Sequence, residues 1–489
     1  GRSDARAYEA LAEVWLQVSE LDRRQGRSRK SALEKALAAV DGALQVAPSR
    51  AAAWEKKAFV LRNWYRVMNF QAGGLDPKPI LAQVLATAAR AVELDPGDVQ
   101  ALDTLGYGHF LRGLQEAREG KDPSPSWTEA TVHLGRALER QARYPWGLND
   151  LALVHRWRGN WQREHGQDPG PAWDEAERYF RLAVETDPKY LFAQSNLAEL
   201  YNARAAHAVS RGVDPAPEAL KALEAGARAL AIDGRFHSAL NHQALAELLR
   251  AEFRVDTDAD PRPAVERAFG HLQRALTFNA TFTRTHYHRA LGQLLLARHA
   301  LRRGAAPAVP LQAGREALAE ALRGDPRCAD CRVLGARLDL TEAAWARKAG
   351  RTALPLLQRA REEARRAVEA YAYDESHQAL AWACWRLAEA LPPREASAAL
   401  AEGLAQVEHA LRLNPGLGRA HAIQGGLLLA RAVALPGEAE HQEAIRQARA
   451  ALARALELHP LLRWEDEAGL RLQLDGTGGE LSFEAPAGR

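Results

Sequence analysis

Between Trp146 and Asp187 the apolar residues fall three or four apart, in two runs separated by a polar break. Leu148, Leu151, Ala152 and His155 open the first run, which continues through Trp157 and Trp161. Trp173, Ala176, Phe180, Ala183 and Val184 make the second. That spacing puts each set on one stripe of a helix, so the segment predicts two amphipathic helices of about 20 and about 16 residues. The break holds Gly166 and then Asp168-Pro169-Gly170-Pro171. Gly can end the first helix because left-handed backbone costs it little. Asp is placed to accept hydrogen bonds from the free N–H groups of the next helix, and Pro is tolerated in a first turn. Pro188 stands just past the second run and stops it.

The same pattern recurs along the chain. An Ala followed by Leu or Val stands at Ala43, Ala91, Ala137, Ala183, Ala229, Ala275, Ala321, Ala367, Ala410 and Ala455, and from Ala91 to Ala367 the interval is always 46 residues. Gly recurs at Gly74, Gly120, Gly212, Gly304 and Gly350. Asp-Pro-x-Pro recurs from Asp76, Asp122, Asp214 and Asp260. One supersecondary unit copied end to end predicts an all-α solenoid of about ten helix-turn-helix repeats over residues 1–462. Ala at each helix crossing lets the axes approach to the short end of roughly 8–10 Å.

The ends depart from the pattern. The first turn reads Gly26-Arg27-Ser28-Arg29-Lys30-Ser31, which is basic and more flexible. Later turns read Thr352-Ala353-Leu354-Pro355, Leu391-Pro392-Pro393-Arg394 and Leu435-Pro436-Gly437-Glu438. In residues 463–489, Leu470, Leu472 and Leu474 alternate, Asp475 to Gly479 form a Gly-rich turn, and Leu481 and Phe483 follow. That predicts a short β-hairpin, serving as a cap or a tail.

Composition narrows the function. The net charge of +3 over 489 residues is nearly balanced, with no basic face of the kind nucleic acid demands. No apolar run approaches the roughly 20 residues of a membrane span. The partner expected is a protein or peptide, with no nucleic acid and no membrane. Cys328, Cys331 and Cys384 are too few for a disulfide framework and fit a reducing, cytoplasmic setting. Cys328 and Cys331 read as small residues filling a turn, because a zinc site needs two more ligands and a redox motif needs a βαβ context. His286, His288, His237 and His242 lack metal spacing on one helix face. No nucleophile–base grouping could be assembled by a rigid array, so neither an enzyme nor a cofactor is expected. Met68 is the only Met, so the chain reads as a piece of something longer, with an effector domain upstream of Gly1.

The residues Leu151-Ala152, Ala176, Phe180, Ala183 and Pro188, with Leu105-Gly106 and Leu197-Ala198-Tyr201, resemble the tetratricopeptide repeat. The resemblance runs over about residues 5–460. The family repeat is 34 residues and this one is 46, the excess lying between His155 and Ala176. The G-x-D-P-x-P turns also look like the C-terminal repeat segments of bacterial serine/threonine kinases. The first resemblance implies a right-handed superhelix that binds extended peptides on the face of its first helices. Candidate contacts there are Asp103, Tyr107, Trp146, Asn149, Leu153, Arg156, Phe192, Ser195, Asn202 and Asn241. A second candidate is the ladder Arg66, Arg112, Arg158, Arg204 and Arg250, whose guanidiniums suit an acidic or phosphorylated segment. Pairing of each Arg with a nearby carboxylate is the competing reading. Self-association through the ends is a third possibility for the array.

Overall fold

The computed structural model describes residues 4–25, 27–70, 78–434 and 438–462, together with two short strands beyond them. Its described residues form ten helical hairpins. They begin with α1 (Ala5–Arg24) and α2 (Lys30–Val46), α3 (Ala51–Phe70) and α4 (Lys78–Leu94), and α5 (Val99–Arg118) and α6 (Ser124–Arg140). Next come α7 (Pro145–Glu164) and α8 (Gly170–Thr186), α9 (Leu191–Ser210) and α10 (Ala216–Ile232), and α11 (His237–Asp256) and α12 (Arg262–Phe278). The array continues with α13 (Thr283–Arg302) and α14 (Ala308–Gly324), then α15 (Ala329–Lys348) and α16 (Leu354–Ala370). It ends with α17 (Asp374–Ala390) and α18 (Pro393–Leu413), then α19 (Gly418–Ala434) and α20 (Glu438–Leu458). β1 (Leu472–Leu474) pairs antiparallel with β2 (Leu481–Phe483), Leu472 opposite Phe483. Gly26, Gly74, Asp76, Pro436, Leu470 and the turn from Asp475 to Gly479 lie outside the described residues.

Turn chemistry sets the helix lengths. Gly120, Gly166, Gly212, Gly304 and Gly350 take φ between +68° and +70°, and the residue after each donates back into the last turn, as Gln167 N does to Gln162 O at 2.8 Å. Asp258 holds the same position with φ +59°, so an Asp does here what Gly does elsewhere. The Asp of the Asp-Pro-x-Pro turn stands one residue before the cap. Asp122 Oδ1 accepts from Ser124 N at 2.9 Å, while Pro123 is the cap and the second Pro lies in the first turn. First helices have 20 residues and second helices 17 in the first eight repeats. The last two repeats reverse this, with 17 residues and then 21. In the ninth, Leu391 precedes Pro392 and cannot remain helical, so α17 stops early.

Small residues line the core of each unit. All ten periodic alanines, Ala43 to Ala455, are 1% exposed or less. Larger side chains fill what the alanines leave. Trp173 of α8 lies so close to α7 that a Cβ on Gly159 would come 2.4 Å from its Cδ1, and Trp127 meets Gly113 in the same way one repeat earlier.

The array divides into two compact units. Unit 1 comprises residues 1–161 and 169–197, and unit 2 comprises 162–168 and 198–489. In unit 1, α1 packs on α3 and α3 on α5. In unit 2, α11, α13, α15, α17 and α19 pack each on the next. Close packing of successive first helices puts them on the inside of the curve in each unit. Unit 2 also returns on itself. Asn414 Nδ2 donates to Arg163 O at 3.2 Å and to Asp374 Oδ2 at 2.9 Å. A methyl on Gly166 would come 2.7 Å from Pro415 Cδ, and one on Gly212 would come 3.1 Å from His459 Nδ1.

Candidate functional site

On the inner side of unit 1 the period of 46 residues places Asp103 and Asn149 in one register and Trp146 and Phe192 in another. Asp103 and Asp150 close on Arg62, a residue the sequence reading passed over. Arg62 Nη1 donates to Asp103 Oδ2 at 2.9 Å, Nη2 donates to Asp150 Oδ2, and the Tyr107 ring lies 3.7 Å from the guanidinium carbon. All three charged residues are buried. Burial and the Asp150 charge push the Asp103 carboxyl above its usual range. Against burial, Asp150 and Asp103 hold Arg62 charged. The three side chains come from α3, α5 and α7, so this network ties three consecutive repeats together.

Asn149 is 3% exposed, donating to Asp150 Oδ1 at 3.0 Å and accepting from Asn196 Nδ2 at 2.8 Å. Ser195 is buried, and so is Arg156, whose guanidinium lies 5.3 Å from the Trp157 ring. Trp146 differs, being 39% exposed. It sits among Phe59 at 6.3 Å and Tyr190 at 5.7 Å, and Tyr190 in turn meets Phe192 at 6.2 Å.

Unit 2 shows the same division. Asn202 is buried and donates to His242 O at 2.9 Å. Asn241 is 1% exposed and donates to His237 O and Thr285 Oγ1, both at 2.9 Å. Further along, Glu252 and Asp256 of α11 face three guanidiniums. Arg298 lies 3.9 and 3.1 Å from them, Arg419 lies 3.8 and 3.7 Å, and Arg337 lies 3.7 Å from Glu252. Glu252 and Arg298 stand one period of 46 apart, opposite charges in equivalent places, which is the signal that could have found them.

The Arg ladder does not form one line. Arg112, Arg158, Arg204 and Arg250 share a register, but Arg66 is set differently and points at the Phe192 ring, 5.7 Å away. Arg112 donates to Ser126 Oγ at 2.9 Å, and Arg250 pairs with Glu247 at 3.2 Å. Arg158 is half-buried, which lowers its pKa, and Arg204 is half-buried on α9.

Two chemistry-bearing patterns resolve plainly. Cys328 and Cys331 form a disulfide at the start of α15, Cα to Cα 5.3 Å, correcting the expectation of two unbonded thiols in a turn. Three residues of separation across a helix start bring the two side chains onto one side of the first turn. Among the described residues no group of His, Cys, Asp and Glu could hold a metal ion. No described helix is long and apolar enough to cross a membrane.

No family model and no curated protein matches the chain. Solved structures do, at low identity. YrrB, described as a TPR protein with an unusual peptide-binding site, is 14% identical, and the match covers 50% of this chain and 95% of YrrB with a TM-score of 0.30. Yeast Tom70 is 13% identical over 91% of this chain and 96% of its own, with a TM-score of 0.32. Human IFIT1, solved as a dimer with m7Gppp-AAAA, is 13% identical over 94% and 91%, with a TM-score of 0.39. The likeness is one of repeated helical hairpins, and it says nothing of ligands.

Proposed function

We propose that the protein is a non-catalytic scaffold that captures an extended protein segment along its first helices. The observation that carries this reading is Trp146. It is a large ring left exposed on the inner side of unit 1, beside a register whose polar members Asp103 and Asn149 are buried and paired. Rings held by rings and amides held by amides make a rigid surface, which loses little entropy when a segment docks. The reading extends to a regulatory setting, with the array serving an effector such as a serine/threonine kinase in the cytoplasm. Selection of random 12-residue peptides on the immobilised full chain tests the scaffold reading. Hydrogen exchange of the complex should then show protection at the start of α7 and α9. Protection confined to second helices, or no peptide recovered at all, would reject it.

A further inference from the structure

Three guanidiniums share one corner of unit 1. Arg29, in the turn between α1 and α2, donates through Nε to Ser19 Oγ of α1 and through Nη2 to Asn63 Oδ1 of α3, both at 2.9 Å. Arg23 lies one helical turn beyond Ser19, and Arg66 one turn beyond Asn63. Neutral partners thus hold Arg29 beside the other two cations. Burial, Arg66 and Arg23 lower the Arg29 guanidinium to about 10, even with Glu20 acting the other way. Glu20 is already taken, since Arg23 donates to both its oxygens at 2.8 and 2.7 Å. Among the described residues no carboxylate pairs with Arg29 or Arg66. Phe192 faces two of the cations, with Arg23 at 5.4 Å and Arg66 at 5.7 Å from its ring centre. A ring face attracts a cation without neutralising it. From Phe192 the aromatic surface continues through Tyr190 to Trp146.

Half-buried like charges cost stability, and a fold that keeps them together commonly does so where a ligand completes the set. We propose that Arg29 and Arg66, with the Glu20-paired Arg23 at their edge, form an anion site for a peptide bearing a phosphorylated side chain or a run of Asp and Glu, with an apolar neighbour packed on Trp146. The proposal rests on the scaffold reading and names its partner class. Guanidinium forks match the oxygens of phosphate and carboxylate. Two ring-to-ring steps of 5.7 and 6.2 Å separate Trp146 from Phe192, so the apolar residue lies about three to five positions from the anion in an extended chain. The rings meet one another at 62°, 31° and 71°, none of them stacked in parallel, so they do not repeat the parallel platform on which successive nucleic-acid bases stack.

The test uses the full chain, immobilised, with random 12-residue peptides in three pools carrying one central phosphoserine, three central Asp or Glu, or a central serine. Phosphoserine or acidic peptides should be enriched at least tenfold over the serine pool, with apolar residues three to five positions away. Arg66→Gln should abolish that enrichment, and Trp146→Ala should abolish only the apolar preference. Arg66→Gln should also leave the melting temperature in phosphate-free buffer unchanged or raised, because it relieves repulsion. Comparable recovery from all three pools would overturn the anion site while leaving the scaffold reading intact; no recovery from any pool would overturn both. A lower melting temperature for Arg66→Gln with enrichment preserved would assign Arg66 a structural role and overturn the proposal. Displacement of bound peptide by micromolar single-stranded RNA, with tighter binding of the RNA, would also overturn it.

Discussion

Single side chains on the inner stripe divide into those that hold the array and those that meet solvent, and depth divides them. Asn149, Asn202 and Asn241 have the helical angle of ligand contacts but are covered by the next repeat, which accepts from the amides of Asn202 and Asn241 and donates to the Asn149 oxygen. A sequence records the angle around a helix and not the cover above it, which is why these residues and Trp146 look alike there. Arg29 is the converse case. It falls in a turn that reads as flexible, yet two hydrogen bonds pin it. Asn241→Ala should lower stability by about 1–3 kcal/mol, since its partners stay buried and lose their donor; urea unfolding monitored by helical circular dichroism measures this. Glu55 allows a sharper test. It is 6% exposed, and burial with nearby Asp98, Glu13 and Glu9 pushes it up to about 7 despite Lys56. The folded state then binds more protons than the unfolded state between the ordinary carboxyl value of 4.5 and about 7, so stability falls as pH rises through that window. The loss amounts to about 3 kcal/mol at most. Glu55→Gln should flatten the dependence, seen in denaturation midpoints at pH 5 and pH 8.

Helices and turns were the most legible level. In the segment from Trp146 to Asp187, apolar stripes, the Gly166 stop and the Pro-rich turn define the two helices to within a residue or two, because each boundary has a local cause. Legibility fails where the cause is not local. The early stop of α17 in the ninth repeat follows from Pro392, but the reach of α18 to 21 residues depends on what it packs against. Asp258 likewise occupies a left-handed position that only its place in the series reveals. Two glycine substitutions separate local strain from packing. Gly350→Ala should lose only the left-handed preference, about 1–2 kcal/mol, because nothing lies within 4 Å of the new methyl. Gly166→Ala should lose that and a further 1–3 kcal/mol or so, because the methyl meets Pro415. Equal midpoints for the two variants would show that the contact at Gly166 contributes nothing.

At the scale of the molecule, repeats stabilise their neighbours and little else, so a local insult should stay local. Ala229→Leu overpacks one helix crossing and should raise hydrogen exchange in α10 and the helices it touches, with distant repeats unaffected. The exception is where unit 2 meets itself. Asn414→Ala removes donors to Arg163 and Asp374 at once. Exchange should then quicken both at residues 162–168 and around 414–416, some 250 positions apart in the chain.

That return contact has a kinetic consequence for anything held inside unit 2. A strip with a free long edge can accept a chain broadside, whereas one bridged at Asn414 admits a chain past that point only along its length or after the contact loosens. A linear ligand with a narrow end would load quickly, a head-to-tail cyclised one would wait for the clasp to part, and loosening Asn414 would close the gap between the two rates.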